Sequence, residues 1–79
     1  MKIYIHKFEA EHDGDVRREI YELEEAGAKV IDTYEEPHGD TDYMVEVSFT
    51  CDNPAKFKEV MGWGLEEYLS FEHFTANDL

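Results

Sequence analysis

From Tyr43 to Phe49 the residues Tyr43, Val45, Val47 and Phe49 alternate with Met44, Glu46 and Ser48. A period of two puts the first set on one face of a β-strand, and only a sheet covered on that side can bury it. The chain must therefore supply more strands and a layer to lay over them. Residues 2–9 (KIYIHKFE) carry β-formers in partial alternation, and residues 29–35 (KVIDTYE) read as another strand. The intervening EPHGDT holds turn residues and predicts a hairpin loop of about five residues.

The covering layer follows from a change of period. Val16, Ile20 and Leu23 fall at i, i+4 and i+7, one apolar stripe of a helix, with Arg18, Tyr21, Glu22 and Glu25 on the opposite side. Asp13 or Asp15 suits its N-terminal cap, and Gly27 closes it near Ala26. Asp52-Asn53-Pro54 marks a second helix start, with proline at the first helical position. Its end has two readings. Phe57, Val60, Met61, Gly64, Tyr68 and Phe71 line one face of a long helix, but Gly62 and Gly64 each cost it about 1 kcal/mol relative to alanine. The rival ends the helix near Gly62 and makes residues 66–74 a fourth strand. The tail 75–79 is expected to be loose.

The order βαββα(β) predicts an α+β fold. Right-handed crossovers carry the first helix over one face, and the third strand fits antiparallel between the first two. The expectation is a two-layer, ferredoxin-like sandwich: an antiparallel sheet of three to four strands with both helices on one face. Residues 1–79 give room for a single domain, which buries only about 60% of the surface its unfolded chain exposes. Eleven aromatic residues argue for a folded core rather than disorder.

No run reaches the roughly 18 apolar residues of a membrane span, and Met1 leads into a charged, alternating segment rather than a signal peptide. Cys51 is the only cysteine, so no intrachain disulfide forms and a reducing cytoplasm is the expected location. Nucleophilic catalysis finds no support: Cys51, Ser48 and Ser70 lie in no catalytic motif. Gly62-Trp63-Gly64 is not a phosphate cradle, and no cofactor site is legible. His38-Gly-Asp40-Thr-Asp42 and His12-Asp13-Gly-Asp15 cluster possible metal ligands, but the calcium-loop pattern is missing and one cysteine cannot complete a zinc set. Turn and capping chemistry accounts for these residues, and no metal site is expected. The expected role is binding, not catalysis.

Charge is what remains to be explained. Twenty acids against seven bases give a formal net charge of -13, and residues 30–55 and 59–79 contain no Lys or Arg. Such a field excludes direct nucleic-acid or anionic-membrane binding and steers the domain towards basic surfaces. The candidate partner-binding residues are Glu9, Glu11, Asp13 and Asp15 before and opening the first helix, Glu22 and Glu25 along it, Asp32, Glu35 and Glu36 leaving the second strand, and Asp40 and Asp42 in the hairpin. Tyr21, Tyr34 and Trp63 are candidate anchors beside them. The hairpin acids and those preceding the helix can share an edge.

A small acidic α+β chain of this kind resembles phage-encoded inhibitors, in particular anti-CRISPR proteins that act as DNA mimics. The resemblance rests on composition and architecture. It implies occupation of the DNA-binding surface of a CRISPR effector complex or another nucleic-acid enzyme, as monomer or weak homodimer in the host cytoplasm. The alternatives are a ferredoxin-like regulatory or assembly module whose acidity only confers solubility, and a high-salt protein. The excess of Glu over Asp, 13 to 7, and of Lys over Arg, 5 to 2, counts against the last.

Overall fold

A computed structural model describes residues 2–72 of the chain. Strand β1 (Lys2–Ala10) leads into helix α1 (Asp13–Glu25), then strands β2 (Ala28–His38) and β3 (Asp42–Cys51). Helix α2 (Pro54–Met61), a 3-10 turn at Leu65–Glu67 and strand β4 (Leu69–Glu72) complete the described chain. The fold is α+β: one antiparallel four-stranded sheet in the order β2-β3-β1-β4, with two helices. β3 lies antiparallel between β1 and β2, as the right-handed crossover through α1 predicts. No helix among the described residues is long and apolar enough to cross a membrane.

Register explains the burial. Tyr4, His6, Phe8 and Ala10 of β1 stand opposite Phe49, Val47, Val45 and Tyr43 of β3, so all eight share one face. Val45, Val47 and Phe49 are wholly buried there, beneath Val16, Leu23 and Ala26 of the α1 segment and Phe57 of α2. Both helices thus feed the same core. Phe49 sits at its centre, stacked on Tyr4 and Phe57 at 5.6 and 5.9 Å between ring centroids, with the Tyr68 ring edge-on at 5.3 Å. His6 ties α1 to the sheet through a 3.3 Å contact between Nε2 and Glu19 Oε2.

The opposite face carries charged residues along β2 and β3, and a strip where Ile5 and Ile3 stand across from Leu69 and Phe71; Ile3 is buried there, while Leu69 and Phe71 are exposed. A bulge between Val30 and Asp32 shifts the register of β2, so Thr33, Glu35 and Pro37 fall on the helix side while Asp32, Tyr34 and Glu36 face outward.

The structure revises several local expectations. α1 is capped by neither aspartate: His12 is the N-cap residue and its side chain makes no capping bond. Asp15 instead reaches back to accept from the Glu11 backbone N–H at 3.0 Å, closing the turn from the other direction. The hairpin loop is three residues, 39–41, rather than five. β2 continues through Pro37 to His38; β2 is an edge strand, the position in a sheet where proline is tolerated. Gly39 supplies the positive φ of 84° that the tight turn needs. The two readings of the C-terminal region resolve against the long helix. Asn53 caps α2 by accepting from Lys56 N, Pro54 follows at the first position, and Gly62 ends the helix at φ 89°. The fourth strand then spans Leu69–Glu72; its proposed extension to residue 74 and the tail 75–79 lie outside the described residues.

Candidate functional site

Antiparallel pairing determines where the acids meet. β1 ends beside the start of β3, with Ala10 opposite Tyr43 and Glu9 opposite Met44, so the turn into α1 abuts the tip of the β2–β3 hairpin. Glu9, Glu11, Asp15 and Asp42 line a common open cleft of about 320 Å³ together with Arg18. A second cleft of about 420 Å³ runs over the hairpin itself, lined by Glu35, Glu36, Asp40 and Asp42 beside Pro37 and Tyr43. Asp13 joins the two groups, because the Tyr43 hydroxyl donates to its Oδ1 at 3.4 Å. Eight of the eleven expected acids therefore gather at one end of the sheet.

The other three do not. Asp32 lies on the outward face of β2 beyond the bulge, where its Oδ1 accepts from the Thr33 backbone N–H at 2.9 Å. Glu22 and Glu25 lie on the last turns of α1, towards the opposite end of the molecule, where they flank Tyr21 and Trp63. The three aromatic candidates divide likewise: Tyr34 faces outward from β2, while Tyr21 and Trp63 line one cleft between the helices.

The eight are not equivalent. Asp15 is partly buried, with 20% of its side-chain surface open, and is held by His12 Nε2 at 3.7 Å and an Arg18 guanidinium nitrogen at 3.5 Å. Its pKa lies below the ordinary 3.8, first because of the Glu11 N–H bond and then through its neighbours His12 and Arg18. Asp42 is half-buried and accepts from the Thr41 hydroxyl at 3.2 Å. Glu11, Asp13, Glu35, Glu36 and Asp40 are exposed. Tyr43 registers the field they create: partial burial and the charges of Asp13, Glu35 and Asp15 hold its hydroxyl above the ordinary 10.0.

Among the described residues no three His, Cys, Asp or Glu side chains converge to hold a metal ion. The carboxylates at the hairpin end are spread along strands and turns, and spacing of that kind suits ion pairs with several separate cations across an interface. Sequence reasoning located these acids but not their company. Arg18, expected among the solvated residues of α1, enters the acidic cleft, and Tyr43 pairs with Asp13 across a separation of 30 residues. The Tyr43–Asp13 contact is too distant in sequence to leave a local signal. No protein-family model, curated protein or solved structure matches the chain.

Proposed function

We propose that this chain is an acidic binding domain that occupies the nucleic-acid-binding surface of a basic protein, such as a CRISPR effector complex or another nucleic-acid enzyme. The observation that carries this reading is the gathering of Glu9, Glu11, Asp13, Asp15, Glu35, Glu36, Asp40 and Asp42 at one end of the sheet, in a chain of net charge -13. Duplex DNA offers about one negative charge per 1.7 Å of its axis, and the proteins that grip it present spaced Lys and Arg side chains. A rigid array of separate carboxylates can engage the same cations, with encounter steered by charge and register set by the pairs that form.

The test is capture of partners from a lysate rich in nucleic-acid-binding enzymes, at low and at high salt. The expected catch is a basic nucleic-acid enzyme that high salt releases and duplex DNA displaces. Replacing Asp40 and Asp42 by lysine should abolish most of that capture and leave the fold intact, since Asp40 lies in the loop and Asp42 is the first residue of β3, outside the core. A catch that duplex DNA does not displace, or an undiminished one from the double variant, sinks the proposal.

A second reading has one observation in its favour. On the face away from the helices, Leu69 is exposed by 72% and Phe71 by 46%, an apolar edge that a ferredoxin-like regulatory or assembly module would use. Such a module would associate with itself through that edge. A concentration-dependent dimer in sedimentation, dissolved by Leu69→Glu, would favour it over the first.

A further inference from the structure

At the end of the molecule away from the hairpin, the last turns of α1 and α2 leave an open cleft of about 310 Å³. Tyr21, Glu22 and Glu25 form one wall, and Val60, Met61 and Trp63 the other. The aromatic rings are the unusual part. Tyr21 is 63% exposed and Trp63 46%, a large apolar area to leave in water on two neighbouring elements of so small a domain.

The Trp63 ring is held in place. Its indole N–H donates to the Tyr68 hydroxyl at 2.7 Å, and Tyr68 is itself packed against Phe49 and Phe57 in the core. Glu25, one helical turn on from Tyr21, raises the pKa of the Tyr21 hydroxyl above the ordinary 10.0. A ring fixed before binding loses little freedom when a ligand arrives.

The chemistry of the cleft selects its occupant. Aromatic faces attract cations, and the preference for arginine is strong because its planar guanidinium stacks on a ring while its edge pairs with carboxylate. Glu22 and Glu25 supply that carboxylate, and Val60 and Met61 supply apolar surface for the side-chain stem. None of the six lining residues is basic, so no cation of this chain fills the cleft from within its walls. A second copy is disfavoured as occupant, because it would bring another -13 of net charge.

We propose that this aromatic–carboxylate cleft is a docking pocket for an arginine side chain of the basic partner, a contact separate from the acids at the hairpin end. The proposal rests on the reading that the partner is basic, and adds which residue type it presents at this second point.

Trp63 is the only tryptophan of the chain, so its fluorescence reports on the cleft directly. Capped octa-arginine is titrated into the full chain at low ionic strength, with octa-lysine as comparison. Trp63 emission should change on binding octa-arginine and change less with octa-lysine. Tyr21→Ala keeps the reporter and should weaken octa-arginine binding about threefold, and Tyr21→Ala combined with Trp63→Leu about tenfold by calorimetry. Both residues are exposed, and circular dichroism checks that each variant stays folded. Binding that leaves Trp63 emission unchanged, affinity in Tyr21→Ala equal to the parent, or no binding at all overturns the pocket. If binding survives these variants but is lost in Asp40→Lys/Asp42→Lys, the hairpin-end reading stands and the pocket falls. If octa-arginine seats on Trp63 while no DNA-displaceable partner is captured, the pocket stands and the proposed function falls.

Discussion

Asp15 shows how one residue type serves two purposes in a single cluster. Its neighbours Glu11 and Asp13 expose their carboxylates, whereas Asp15 turns inward to the Glu11 N–H, His12 and Arg18 and so organises the start of α1. Because its pKa is lowered in the fold, its contribution is present above the ordinary value of 3.8 and is lost as pH falls through the folded value. Asp15→Asn should therefore melt below the parent at neutral pH, and the gap should close as pH drops under 3.8. A gap that persists in acid would mean that the carboxylate charge is not what holds the turn. The opposite sign applies to Tyr43, whose raised pKa favours the fold below 10.0 and withdraws that support as pH climbs past the folded value.

At the scale of elements, β3 is the keystone, since it pairs with β1 on one side and β2 on the other and sends Val45, Val47 and Phe49 into the core. A domain of 79 residues commands only about 4–12 kcal/mol of stability at the usual 0.05–0.15 kcal/mol per residue. Val47→Asp forfeits about 1.5–3 kcal/mol of apolar burial and adds the cost of an unpaired buried charge, worth several kcal/mol more. It should unfold the domain, read as loss of the far-ultraviolet β signal. A folded variant would place Val47 on the wrong side of the sheet. The register of β3 was legible because alternation is a local pattern. The end of α2 was not: the apolar spacing from Phe57 to Phe71 fits a helix face equally well, and the choice went to the αL conformation at Gly62 and to the pairing that β1 offers Leu69–Glu72. The length of β2 was hidden for a related reason, because Pro37 ends a central strand but not an edge strand, and edge position is a property of the assembled sheet.

For the whole molecule, a net charge of -13 acts in opposite directions on folding and on binding. Self-repulsion strains the free domain, and added salt screens it. Tm should therefore rise with sodium chloride, by a few degrees for about 1 kcal/mol of relieved repulsion in a chain of this size, as calorimetry would record. A Tm that does not respond would mean the acids are already neutralised within the fold. Since the same salt should loosen a charge-driven complex, loss of capture at high salt cannot be assigned to unfolding. The sequence alone determined the composition, the charge and most of the elements, because these depend on residue identity and on spacing over a few positions. The tertiary structure decided which acids share a surface. Eight meet at the hairpin end because antiparallel pairing returns β3 to the point where β1 stops, while Glu22 and Glu25 are carried away along α1 to Trp63.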